Sequence, residues 1–225
     1  MSLKRPCQNL EAFLLGCISH RKTRLFRVPC QKPSSFAPPV SSADMPTATS
    51  ATEIAIFASG CFWGTQHIFL KHFPPEPAPG KGILATAVGY TGGKPLSTNP
   101  DYKKVCSGTT GHAEALRIEF DPSVVEYADL VEFFYRSHDP TTVNRQGGDV
   151  GTQYRSAIFT TTPEQAIVAR RATEEVQAKH FTPKGTKIVT EIHEAGPWWD
   201  AEDYHQLYLF KYPGGYQCPT HRLHW

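Results

Sequence analysis

The sequence predicts an α+β or α/β fold, a single-domain two-layer sandwich with a mixed sheet and flanking helices. Three observations predict it. Past residue 52, short apolar and β-branched runs alternate with helical stretches. Strand and helix signals are interleaved rather than grouped, with a hairpin-like pair among them. The chain has 225 residues, 40% of them hydrophobic, which suits one ordinary core plus an appendage.

The elements follow in order. Ile54-Ala55-Ile56-Phe57-Ala58 reads as a buried strand, and His67–Phe73 as one or two helical turns. Phe73–Gly80 is a Pro-rich loop that cannot continue a helix. Ile83 to Val88 is a second strand. Thr91 to Gly111, rich in Gly, Pro, Asn and Ser, is a long functional loop. His112 to Phe120 alternates as a third strand, and Tyr127 to Ser137 is a helix. Tyr154 to Thr161 is another strand. Thr162-Pro163-Glu164-Gln165 opens a helix, with an N-cap, Pro at N1 and Gln at N3, that runs to about Lys179. Lys187 to His193 is a strand, and Asp200 to Lys211 a last helix.

Charge divides the chain. Residues 1–45 hold seven Lys/Arg against two acids, a net of +5, whereas the remainder carries 16 basic and 19 acidic residues, a net of −3. The acidic remainder is no basic nucleic-acid binder. No apolar run approaches 18 residues, so no transmembrane helix is expected. Residues 1–52 form a basic extension, read either as an organelle transit peptide or as a disordered tail, and residues 53–225 form the catalytic domain. Met45 offers an internal start for a shorter form. Six cysteines, at 7, 17, 30, 61, 106 and 218, show no paired framework and no CxxC. That pattern argues against a disulfide-stapled secreted domain.

Chemistry concentrates at Ser59-Gly60-Cys61-Phe62-Trp63-Gly64. Cys61 falls at a strand-to-helix turn, where unpaired N–H groups and the positive end of the helix dipole favour a thiolate. An isolated Cys is more often a small buried hydrophobe. A structural Cys, however, does not need a glycine-flanked turn between two aromatics and a strand. In His112–Phe120, period-2 alternation puts Glu114 on the face of Leu116, Ile118 and Phe120. Buried there, the carboxyl would favour its protonated form and serve as a general acid. If it instead lies beyond the buried section, it is solvated. Alternation alone leaves both readings open.

Gly-Cys-Phe-Trp-Gly resembles the active-site signature of the peptide methionine sulfoxide reductase A family. Six further stretches resemble that family, in its order: Gly89-Tyr90-Thr91-Gly92-Gly93, Val105-Cys106-Ser107-Gly108, Gly111-His112-Ala113-Glu114-Ala115, His138-Asp139-Pro140, Gly151-Thr152-Gln153-Tyr154-Arg155-Ser156 and Ala201-Glu202-Asp203-Tyr204-His205-Gln206. They span about Ile54 to the C-terminus. The resemblance implies reduction of free and protein-bound methionine S-sulfoxide. Cys61 is then the nucleophile, and Glu114 lends the proton that lets the sulfoxide oxygen leave. Tyr90 and Tyr154 match the tyrosines that hydrogen-bond this oxygen. Asp149 matches an acid before Gly-Thr-Gln-Tyr, although it also suits a turn after Gly147-Gly148. Phe62 and Trp63 match the aromatics that hold the substrate methyl group.

The same resemblance implies a Cys61 sulfenic acid resolved by Cys218, which sits in the glycine-rich Tyr212–Pro219 stretch, and recycling by thioredoxin. Cys106 is the rival resolver or a structural Cys. His205 is either structural or catalytic. No metal, flavin, membrane or nucleic acid is called for. A monomer, mitochondrial or cytoplasmic, is expected. Two other classes stand beside the enzyme: a metal module built on Cys218-x-x-His221-x-x-His224, and a non-enzymatic redox sensor using Cys61 and Cys218.

Overall fold

A computed structural model describes residues 52–75 and 80–225. The extension, its transit reading, the Met45 start and Cys7, Cys17 and Cys30 lie outside the described residues. The elements are β1 (Glu53–Ser59), α1 (Phe62–His72), β2 (Ile83–Thr91), α2 (Tyr102–Cys106), β3 (Ala113–Phe120), α3 (Tyr127–Arg136), β4 (Arg145–Gln146), β5 (Asp149–Val150), β6 (Ser156–Thr160), α4 (Pro163–Val176), β7 (Glu191–Glu194), β8 (Trp199–Asp200) and α5 (Tyr208–Lys211).

Alternation along the strands builds the layers. On β1, Ala55 and Phe57 face one side, while Ile56 and Ala58 face the other. On β3, Leu116, Ile118 and Phe120 face the first side, and Ala113 and Ala115 the second. Helices cover the first side. Phe57 stacks on Phe69 of α1 at 5.5 Å and on Phe134 of α3 at 5.2 Å between ring centroids. The second side carries alanines with Ile56 and Phe159, under Ala195 and Trp198. The sheet order is β7-β6-β1-β3-β2-β8. Its pairs are antiparallel except β6 with β7, which are parallel because α4 crosses between them. The expected two-layer mixed sheet is present.

Local signals explain several boundaries. The Thr162 hydroxyl accepts from the Gln165 N–H at 3.1 Å, as the N-cap reading required. The Gln165 carboxamide turns back to the Thr161 N–H at 3.1 Å. Where α4 ends at Val176, a π-helical turn, Gln177–Phe181, continues toward the expected limit.

Four expectations need correction. The long loop after Thr91 contains α2, capped by the Asp101 carboxylate accepting from the Lys104 N–H at 2.8 Å. Tyr154 belongs to a 3₁₀ turn, Thr152–Tyr154, and not to a strand. The strand expected over 187–193 is confined to β7. The last helix is a single turn, α5. The Gln206 side chain explains that shortening: it pairs with the Val88 N–H at 2.9 Å and the Val88 carbonyl at 2.8 Å, so this segment follows the sheet edge instead of coiling. The Leu207 N–H is likewise taken by the Gln66 carboxamide at 2.8 Å.

Candidate active site

β1 ends at Ser59, and Gly60 turns the chain at φ 94°, a left-handed conformation that favours glycine. A Cβ there would sit 2.5 Å from the Gln146 Cβ. Cys61 follows as the N-cap of α1, its carbonyl accepting from the Gly64 N–H at 3.2 Å and the Thr65 N–H at 3.3 Å. The N–H groups of Trp63 and Gly64 favour the thiolate, as the turn predicted. Burial, reinforced by Glu114 nearby, outweighs them and pushes the Cys61 pKa well above its ordinary value. The resting group is therefore a thiol, a correction to the thiolate expected from the helix terminus.

Glu114 lies two residues beyond Leu116, which pairs with Phe57 across β1 and β3. That register delivers the carboxyl to the end of β1, where Cys61 sits. Glu114 is 1% exposed, and its Oε2 accepts the Phe62 N–H at 3.1 Å. Burial pushes its pKa up to about 8 against that hydrogen bond, with Asp149 adding to the rise. The buried reading of Glu114 is the one realised, and the group is a neutral acid at pH 7.

The tyrosines divide. Tyr90 pairs across β2–β3 with Glu114, but it has no solvent exposure and its hydroxyl donates to Glu202 at 2.8 Å. Tyr154 is half-buried; burial first and Glu114 second push its phenol up, with Cys106 and Cys61 also acting on it. Tyr102 was missed in the sequence. It lies on α2 four residues before Cys106, so the two share a helix face. Burial raises the Cys106 pKa, and the Tyr102 and Tyr154 phenols beside it act against that rise. Tyr102 and Tyr154 are thus the phenols that remain partly open beside Glu114. The signal for Tyr102 was Pro100-Asp101, a helix-start pattern within a stretch read as loop.

Phe62 is buried, its ring centroid 5.8 Å from Tyr90 and 5.1 Å from His205. Trp63 stacks on Tyr208 at 3.8 Å, and its indole donates to His205 Nδ1 at 2.9 Å. Asp149, on β5, accepts from the Tyr216 hydroxyl at 3.0 Å through Oδ1, while Oδ2 is buried without a hydrogen-bond partner. Its charge bears on both Glu114 and Cys61, so it belongs to the site.

Cys218 is fully buried and is a free thiol, as is Cys61. It donates to the Gln146 carbonyl at 3.3 Å and lies 3.1 Å from the Thr220 hydroxyl. The side chain of Gln146 packs under Gly60, so one residue touches the surroundings of both thiols. Burial raises the Tyr216 phenol pKa, and both thiols act on it too. His221 and His224 do not join Cys218 as a ligand set: His221 Nε2 donates to the Ser59 carbonyl at 2.7 Å, and His224 Nε2 to the Thr220 carbonyl at 3.0 Å. Among the described residues no cluster of His, Cys, Asp or Glu is arranged for a metal ion.

Comparison with known proteins adds the following. The profile of the family described as Peptide methionine sulfoxide reductase matches residues 53–223. A probable peptide methionine sulfoxide reductase of Schizosaccharomyces pombe is 60% identical over 173 residues, covering 77% of this chain and 97% of that protein. MsrA of Escherichia coli K12 is 48% identical over 178 residues, covering 79% of each chain. Among solved structures, reduced Mxr1 from Saccharomyces cerevisiae superposes with a TM-score of 0.70 at 41% identity, over 78% of this chain and 93% of Mxr1. Mxr1 in complex with Trx2 gives a TM-score of 0.51 at 29% identity, over 78% and 91%.

Proposed function

The chain belongs to the peptide methionine sulfoxide reductase family, an oxidoreductase acting on methionine sulfoxide, and from that premise we propose a reaction carried by Cys61 and Glu114. The observation that carries it is the neutral Glu114 carboxyl, buried beside the Cys61 thiol and held by the Phe62 N–H. Oε2 takes that N–H, and the second oxygen is the place for the acid proton. Glu114 lends its proton to the sulfoxide oxygen, with the Tyr102 and Tyr154 phenols beside it. Cys61 sulfur attacks the substrate sulfur, its own proton returning to Glu114, while the Trp63 and Gly64 N–H groups stabilise the charge that builds on the nucleophile. The protonated oxygen leaves the substrate sulfur for the Cys61 sulfur, and the transient bond between the two sulfurs breaks, its electron pair returning to the substrate as the thioether of methionine. One thiol and one sulfoxide become one sulfenic acid and one methionine.

Cys218 then displaces water from the Cys61 sulfenic acid, forming a disulfide. An external dithiol reduces it. Solved Mxr1 with Trx2 supports thioredoxin as that dithiol. Phe62 and Trp63 form the apolar wall for the S-methyl group. Each reductase type takes one epimer, and the family resemblance supports the S-sulfoxide, free and protein-bound, as the substrate of this one, acting as a monomer. The test is turnover of each sulfoxide epimer, with and without thioredoxin. Reduction of the R epimer alone would overturn the assignment, and S-epimer turnover unaffected by thioredoxin would overturn the recycling scheme.

The basic segment 1–45 directs the protein to mitochondria, and a chain begun at Met45 stays in the cytosol. The charge break supports this reading. A reporter fused to residues 1–45 and left wholly in the cytosol would reject it.

A further inference from the structure

Glu202 stands outside the reaction just described, yet three groups of the site converge on it. Its Oε2 accepts from the Tyr90 hydroxyl at 2.8 Å, and its Oε1 accepts from the Tyr102 N–H at 3.0 Å. His205 Nε2 lies 3.7 Å from Oε2. The other ring nitrogen, Nδ1, receives the Trp63 indole N–H at 2.9 Å. An indole N–H can only donate, so Nδ1 must be the bare acceptor. A neutral ring then carries its proton on Nε2, facing Glu202. That Nε2 is buried and has no hydrogen-bond partner, so the carboxylate is the polar group that its N–H meets. The ring is 1% exposed and enclosed by Tyr204 at 4.2 Å, Tyr102 at 4.6 Å and Phe62 at 5.1 Å. Burial keeps it neutral by lowering its pKa.

Resting on the reaction proposed above, we propose that Glu202 is a positioning residue that sets substrate specificity: it holds His205 as the Nε2–H tautomer, and His205 in turn fixes the Trp63 indole that walls the S-methyl pocket. The requirement is for an acceptor-only group. Two donors, the Tyr90 O–H and the Tyr102 N–H, hydrogen-bond the carboxylate, and the His205 Nε2–H faces it across 3.7 Å. An amide of the same shape must set its NH₂ against at least one of them. The Tyr102 N–H can only donate and keeps the amide oxygen, whereas the Tyr90 hydroxyl can turn to accept, so the NH₂ faces His205 Nε2–H. The ring flips or tilts to escape, Nδ1 no longer accepts, and the indole loses its anchor.

The test is direct. In the wild-type protein, ¹⁵N spectra should show His205 as the neutral Nε2–H tautomer, with the Trp63 indole N–H, assigned by Trp63→Phe, hydrogen-bonded. An Nδ1–H tautomer would overturn the proposal without any Glu202 variant. In Glu202→Gln the indole resonance should move to a free position. Discrimination between methyl and ethyl sulfoxides, by kcat/KM, should relax about tenfold, within the range one methylene commands. Tyr90→Phe removes a donor but leaves the carboxylate, and should change neither readout. A folded Glu202→Gln protein with unchanged indole resonance and unchanged discrimination would also overturn the idea. The spectra need no turnover, so they stand or fall apart from the reaction.

Discussion

The two halves of this site are built differently. Cys61 follows the end of β1 as the N-cap of α1, Glu114 lies on the neighbouring strand β3, and their meeting follows from register and alternation. The C-terminal stretch from Ala201 to Trp225 has one helical turn, α5, and is held by side chains bonded to groups distant in the chain. Gln206 clasps Val88, Tyr216 meets Asp149, Cys218 meets Gln146 and His221 meets Ser59. The first half is a rigid platform in the middle of the sheet. The second is a strap fixed at separate points, as a group that must travel to a sulfenic acid should be. In the proposed reaction, chemistry on sulfoxide falls to the platform and regeneration to the strap.

The sharpest way to break that division is at the nucleophile. Cys61→Ser should abolish reduction with the fold retained, because a hydroxyl of nearly the same size is far less nucleophilic near neutrality. Activity in a folded Cys61→Ser protein would leave the platform without its role.

Next comes Glu114→Gln. Methionine formation in a single turnover should fall on the order of 10²–10⁴-fold, the usual weight of a general acid. In the wild type the same step should decline as pH rises through about 8, where the acid proton is lost. Stability carries the matching signature. The folded carboxyl keeps its proton up to about 8, whereas an unfolded one releases it near the ordinary glutamate value of 4.5. Between those limits the folded state binds more protons, so stability falls as pH rises across the window and levels off above it. Glu114→Gln should flatten that slope. Denaturant melts at pH 5 and pH 8 that shift equally in both proteins would deny Glu114 its raised pKa, and an unchanged single-turnover rate in Glu114→Gln would place it outside the chemistry.

Cys218→Ser moves to the strap. It should still yield about one methionine per enzyme, while thioredoxin-driven cycling falls sharply, because Cys61 can still be oxidised. Survival of cycling there, with collapse in Cys106→Ser, would hand the resolving role to the thiol between Tyr102 and Tyr154.

This contrast also governs what the sequence disclosed. Strands β1, β2 and β3, α3, the Thr162 cap and the placement of Glu114 were readable because each depends on periodicity or on neighbours within a few residues. Tyr102 escaped because a five-residue helix leaves little periodicity in a Gly- and Ser-rich stretch. The thiolate expectation failed because a helix terminus is a local feature, whereas the burial that opposes it is a property of the whole core. Tyr90 looked equivalent to Tyr154; its commitment to Glu202, 112 positions away, leaves no local trace. Asp200–Lys211 was read as helix because the partners that Gln206 and Gln66 take up across the molecule leave no local trace.

The smallest effect tests whether platform and strap touch where the structure puts the contact. Gly64 lies in the first turn of α1, and a Cβ there would fall 2.0 Å from His221 Nδ1. Helix propensity alone favours Ala over Gly by about 1 kcal/mol. In the native protein the imidazole is in the way, buried with Nε2 bonded to the Ser59 carbonyl. Gly64→Ala should therefore expel His221, lose that bond and destabilise by about 1–3 kcal/mol, as overpacking does. With the strap unpinned, disulfide formation after a single turnover should slow about tenfold, by our reckoning from one lost charge-neutral anchor of about 1.4 kcal/mol. Methionine release should change far less, because the N–H of residue 64 survives the substitution. In a His221→Ala background the obstruction is gone, so Gly64→Ala should be neutral or stabilising. The double-mutant cycle should then show a coupling of at least 1 kcal/mol. Strict additivity would mean that the helix and the strap do not meet at this point, and the pinned-strap description would have to be abandoned.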